Sequence, residues 1–263
     1  MDTSNPKYEL GISLSGGGAR GIAHLGVLES LKNHHLEPGI ISGASMGAII
    51  GCLYAAGYEA RFILEEIKKE KLSRFLSWSL PGDGFLDLEY MEELLAAHIN
   101  KNDFSALKKP LFVSVSNLNT GLSEIISKGP LFEYIIASAS IPIVFKPRII
   151  NNQTYVDGGL LDNLPSTAIR NKCKRLIGVD VNQCEPTDHI NGIKEIAERC
   201  LRLGVECNVK ENLKACDFVI VPKGIQEYYT FDFRKADEIF KIGFDYTEKI
   251  IGQIIEMIEK PIE

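Results

Sequence analysis

Long hydrophobic runs are missing from this chain. The most apolar stretch, residues 47–58, is too short to cross a bilayer, so no transmembrane segment is expected and any membrane contact should be peripheral. Residues 1–7 are polar and include Pro6, without the basic-then-apolar order of a secretory signal. A basic stripe is also missing. The 29 Lys and Arg are interspersed with 35 Asp and Glu, for a net charge of −6, which argues against a nucleic-acid binder. The six cysteines, Cys52, Cys173, Cys184, Cys200, Cys207 and Cys216, contain no CxxC pair. They read as reduced thiols of a cytoplasmic protein rather than a disulfide framework. A zinc site from Cys184, His189, Cys200 and Cys207 fits no metal-ligand spacing, and neither a metal nor an organic cofactor is expected. Tryptophan occurs once, at Trp78.

What is present is an ordinary globular composition of 263 residues, 45% hydrophobic and 24% charged. One large domain over residues 1–263 is expected. Residues 8–15 read as a strand ending in glycines. A helix pattern follows, with Ile22, Leu25, Leu28 and Leu31 on one face. A short apolar strand at 39–42 runs into a small-residue helix that stops before Gly57. Residues 59–105 read as a mostly helical insertion. Residues 111–118 and 122–127 are a candidate strand pair, 131–139 a helix, and 148–156 a hairpin turning at Asn151-Asn152. The apolar runs 175–181 and 218–221 suit buried parallel strands, and residues 182–263 complete the layers. Strands alternating with helices predict a three-layer α/β/α sandwich with a mainly parallel central sheet. Such sheets bind ligands at the carboxyl ends of their strands.

Three motifs fall in those positions. Gly43-x-Ser45-x-Gly47, between a strand and a helix, would hold a serine hydroxyl outward on a tight turn. The bland alternative is a serine at an ordinary helix start. Gly16-Gly17-Gly18-Ala19-Arg20-Gly21, after the first strand, would leave backbone N–H groups facing one point, which suits an oxyanion. It also matches the dinucleotide fingerprint, but the acidic residue that would hold a ribose is missing from the end of the second strand. Asp157-Gly158-Gly159, after the hairpin, is by itself an ordinary turn.

Taken together, these motifs resemble the signature of the patatin-like phospholipase family. The stretch Ala137-Ser138-Ala139-Ser140-Ile141-Pro142, continuing to Phe145-Lys146-Pro147, is also similar to that family, and the likeness runs from about residue 8 to 181. The resemblance implies a lipid acyl hydrolase acting on a phospholipid, lysophospholipid or neutral lipid through a Ser–Asp dyad. Ser45 would be the nucleophile and Asp157 the base, with Gly16, Gly17 and Gly18 forming the oxyanion hole.

Alternatives stay open at this point. An α/β-hydrolase order would read Ser45, Asp180 and His189 as a triad. A patatin-like adaptor would bind a lipid or protein partner without turnover. Arg20 is a candidate contact for an anionic head group, or a surface arginine without a ligand. Phe75, Leu76, Trp78, Leu80, Phe85 and Leu86 form an apolar cluster that is either a packed cap or a lipid contact.

Overall fold

The computed structural model describes residues 6–69, 88–183, 186 and 190–261. The Trp78 cluster, Cys184 and His189 lie outside the described residues. The strands are β1 (Tyr8–Leu14), β2 (Ile40–Gly43), β3 (Leu111–Asn117), β4 (Leu122–Ile126), β5 (Arg148–Ile150), β6 (Gln153–Asp157), β7 (Cys173–Val179) and β8 (Phe218–Ile220). The α-helices are α1 (Ala23–Asn33), α2 (Met46–Ala55), α3 (Ala60–Lys68), α4 (Glu89–His98), α5 (Leu131–Ser138), α6 (Gly192–Lys214) and α7 (Ala236–Glu259). The strands form one sheet in the order β5-β6-β3-β2-β1-β7-β8, with β4 paired to β3. The pairs β1–β2, β1–β7, β2–β3 and β7–β8 are parallel, while β3–β4, β3–β6 and β5–β6 are antiparallel. The expected mainly parallel sheet, flanked by helices, is therefore present.

Alternation along the strands divides the core between the two faces of the sheet. Ile12, Ile41, Val113 and Ile177 join the larger cluster, with Leu25, Leu28 and Leu31 of α1, Ile50 of α2, Ile135 of α5 and Ile239 of α7. Ile40, Cys173 and Leu176 turn the other way and pack with Ile169 in a smaller cluster. Phe112 and Cys216 lie against its rim. Among the described residues, no helix is long and apolar enough to cross a membrane. The described cysteines Cys52, Cys173, Cys200, Cys207 and Cys216 are free thiols.

Strand β3 places two other strands end to end. Val113 pairs with Gly43 of β2 on one side and Ile126 of β4 on the other. Val115 pairs with Asp157 of β6 on one side and Glu124 of β4 on the other. Because β4 holds one whole edge, β2 and β6 must share the opposite edge. Running in opposite directions, they meet head to head across Ser114. Their last residues, Gly43 and Asp157, are two β3 positions apart, or roughly 6.6 Å along the strand. The β5–β6 hairpin turns where expected: Asn151 and Asn152 both have positive φ, 51° and 61°, as a tight two-residue turn requires.

Candidate active site

The elbow after β2 holds Ser45 at φ 53°, ψ −124°, a left-handed conformation that costs a non-glycine residue about 1–3 kcal/mol. Gly47 makes the turn possible, since a Cβ there would lie 2.3 Å from the Leu14 carbonyl oxygen. The backbone N–H of Ser45 donates to Ser138 Oγ at 2.9 Å, and Ser138 Oγ donates to the carbonyl of Ser114 at 2.7 Å. The residue at the β2–β6 junction therefore also anchors the elbow. Gly158 packs on the same carbonyl, where a Cβ would sit 2.1 Å from Ser114 O.

The Ser45 hydroxyl donates directly to Asp157 Oδ2 at 2.6 Å. The other carboxylate oxygen, Oδ1, accepts the Gly159 N–H at 2.7 Å. Both side chains are buried. Burial pushes the Asp157 carboxyl up to about 7, against the opposing pull of its hydrogen bonds from Ser45 and Gly159. Asp180, the acid of the alternative triad, ends β7 and accepts the Asn182 N–H at 2.9 Å. Ser45 reaches Asp157 with no imidazole between them.

The glycine loop differs in detail from expectation. Gly16 lies against the nucleophile, where a Cβ would come 2.9 Å from Ser45 Cβ. Its N–H, however, is committed to Asn163, at 3.1 Å to Oδ1 and 3.2 Å to the backbone oxygen. Of the three glycines expected to form an oxyanion hole, Gly16 therefore has its N–H turned to Asn163. The outer side of the loop is covered by residues 228–231. Ala19 N–H donates to Thr230 O at 2.8 Å, and a Cβ on Gly18 would sit 2.3 Å from that oxygen. This cover occupies the helix start that a dinucleotide pyrophosphate would need. Arg20 is not a surface arginine: it is buried, and donates to Tyr228 O at 3.0 Å and Asn182 Oδ1 at 2.6 Å. It anchors this cover from below.

Sequence reasoning missed Ser138, Asn163, Asn182 and His24. Ser138 does lie in the stretch that carried the family resemblance, but no local pattern marks it as a support for the elbow. His24 is buried, with Nε2 donating to Ser15 O at 2.8 Å. Burial lowers its pKa to about 4, with the hydrogen bond to Ser15 opposing that shift.

The chain thus combines a mostly parallel α/β sheet with a strained serine at a strand-to-helix turn, hydrogen-bonded to a buried carboxylate beside a glycine loop. More particularly, the chain belongs to the patatin-like phospholipase family, whose model matches residues 12–168. Its curated relatives include Lysophospholipase NTE1 of Kluyveromyces lactis, 28% identical over 96% of this chain and 20% of that protein. Lysophospholipase NTE1 of Saccharomyces cerevisiae is 29% identical over 96% of this chain and 17% of that protein. The chain thus spans a fifth or less of the length of these relatives. Among solved structures, VipD from Legionella pneumophila shares the fold with a TM-score of 0.60 and 15% identity, covering 95% of this chain and 68% of that one.

Proposed function

We propose that this chain hydrolyses carboxylic esters of lipids through an acyl-enzyme on Ser45, with Asp157 as the only base. The observation that carries this reading is the 2.6 Å hydrogen bond from Ser45 Oγ to Asp157 Oδ2. A serine hydroxyl becomes a competent nucleophile when a base within hydrogen-bond reach takes its proton. As Ser45 Oγ attacks the ester carbonyl, its proton passes to Asp157. The developing oxyanion is stabilised by the N–H groups of Gly17 and Gly18. When the intermediate collapses, Asp157 returns the proton to the departing alcohol. It then takes a proton from the water that cleaves the acyl-enzyme and hands it to Ser45 Oγ as the acid departs. A carboxyl raised to about 7 is close in basicity to an imidazole, which makes a dyad workable near neutral pH.

The relatives' printed name makes a lysophospholipid the first substrate to try. The site as proposed uses no metal or organic cofactor, and a cytoplasmic protein with peripheral contact to a lipid surface fits this reading. The test is turnover of a soluble chromogenic short-chain ester and of a lysophospholipid, with mass mapping of the residue labelled by a fluorophosphonate. Label on Ser45 together with turnover supports the proposal. A folded protein that turns over neither substrate is a binding adaptor, and the proposal fails.

The glycine loop gives a further expectation. A Cβ on Gly17 would meet Val181 Cγ2 at 2.9 Å, so Gly17→Val must move the loop and re-aim its donors. Loss of one such donor lowers kcat by about 100- to 1,000-fold. Steady-state kinetics on the soluble ester measure this effect; near-normal kcat in a folded Gly17→Val protein would remove the loop from the oxyanion assignment.

A further inference from the structure

The peptide between Ser15 and Gly16 is held at both ends. Its carbonyl accepts His24 Nε2–H at 2.8 Å. Its N–H donates to Asn163, at 3.1 Å to Oδ1 and 3.2 Å to the backbone oxygen. Asn163 is itself fixed, since its backbone N–H donates to Asn208 Oδ1 at 3.0 Å. Asn208 Nδ2 in turn donates to Gly159 O at 3.0 Å and Leu160 O at 3.2 Å. One amide side chain thus ties the glycine loop to the loop that carries the base. Asn163 Oδ1 lies 2.6 Å, and Asp157 Oδ1 2.9 Å, from the point where a Gly159 side chain would begin.

We infer that Asn163 is a positioning residue for the acyl-transfer site, locking the Ser15–Gly16 peptide so that the next two amides, of Gly17 and Gly18, face the oxyanion. This rests on the acyl-hydrolase reading above. Two observations separate it from plain packing. The orientation of the amide is set by the Gly16 N–H, because the flipped form would oppose two donors. In that orientation Asn163 Nδ2 is buried with no hydrogen-bond partner among the described residues. Stability alone would favour an apolar side chain over a buried donor left unsatisfied. His24 performs the matching task at the carbonyl end. Neutral above its lowered pKa, it keeps one tautomer, with the proton on the nitrogen that faces Ser15 O.

The experiment uses the full chain labelled with ¹⁵N, with Asn163→Ala and Asn163→Asp variants, and reads amide exchange beside kinetics. In Asn163→Ala the Asn163 backbone oxygen is the one acceptor left to the Gly16 N–H, so Gly16 should lose part of its exchange protection, about threefold or more. Its kcat should fall about 100-fold while KM stays within about threefold. Asn163→Asp keeps the acceptor, so it should recover Gly16 protection and most of kcat on the alkaline side. Its added carboxylate beside Asp157 should also move the acid limb of the pH profile upward, because like charges disfavour ionisation. A third reading needs no variant. On phosphonylation of Ser45 in the wild-type chain, the Gly17 and Gly18 amides should gain a coupling to phosphorus across a hydrogen bond and Gly16 should not. The inference is overturned if Asn163→Ala leaves Gly16 exchange unchanged, if it keeps kcat within about threefold of wild type, or if the Gly16 amide couples to the phosphonyl phosphorus. A wild-type chain without Ser45-dependent turnover would instead refute the hydrolase reading, while the exchange of Gly16 would still decide the clamp.

Discussion

Ser45→Ala is expected to abolish ester hydrolysis and fluorophosphonate labelling while leaving the fold intact. The loss should be roughly 10⁴-fold or more, the scale seen when a nucleophile that acts as part of a unit is removed. Folding should survive, because the Ser45 side chain caps no helix: at the start of α2 it makes no cap hydrogen bond. Alanine keeps the same φ of 53° and hence the same strain. Ser45→Gly should be equally inactive but melt higher, because glycine adopts positive φ without penalty and releases about 1 kcal/mol of strain. Stopped assays and thermal melts on the three proteins test both statements. Full fluorophosphonate labelling of Ser45→Ala would sink the nucleophile assignment.

Asp157→Asn should fall nearly as far, again roughly 10⁴-fold, since the pair acts as a unit. Asparagine can still accept the Gly159 N–H but cannot take the serine proton. The pH dependence follows from the raised carboxyl. Asp157 must be ionised to act, so wild-type activity should be lost as pH falls through about 7, well above the 3.9 of an unperturbed aspartate. A histidine base would titrate in the same range, so the acid limb alone does not distinguish dyad from triad; the Asp157→Asn and Asp180→Asn variants do. Stability carries the opposite sign. The folded state binds the proton more tightly than the unfolded chain, so burying the charged form is a penalty that grows from about pH 4 and is complete above about pH 7. Asp157→Asn should therefore melt several degrees above wild type at pH 8 and at the same temperature near pH 3. Equal melting at both pH values would show that the carboxylate is not strained by burial.

Much of the sheet could be read from the chain because its elements announce themselves locally. The apolar runs before Gly16 and Gly43, and the Asn151-Asn152 turn, carry their own signals, and both glycine-bounded motifs fall where those strands end. The meeting of Ser45 and Asp157 does not. It depends on β6 entering, in the reverse direction, the edge of β3 that β2 has vacated, and no local pattern records that. The commitment of the Gly16 N–H was hidden for the same reason: its partner, Asn163, is 147 residues away. Arg20 read as a head-group contact or a surface residue, exposed in either case, because its burial comes from residues 228–231, far along the chain. Raising the Asp157 carboxyl to about 7 takes burial by several elements at once.

The head-to-head meeting of β2 and β6 has a mechanical consequence. The nucleophile belongs to the middle of the sheet, whereas the base rides on its margin, on a hairpin whose outer strand, β5, has no further neighbour among the described residues. The short register Val115–Asp157, Ser116–Val156 and Asn117–Tyr155 pairs that hairpin with β3, extended by the Leu118 N–H to Thr154 O at 2.9 Å. Marginal hairpins open at lower free energy than central strands. Dilute denaturant should therefore unlatch the base first and silence the protein while its core is still closed. Activity should decline at a lower urea concentration than circular dichroism does, and it should return at once on dilution, because the serine and its half of the sheet never came apart.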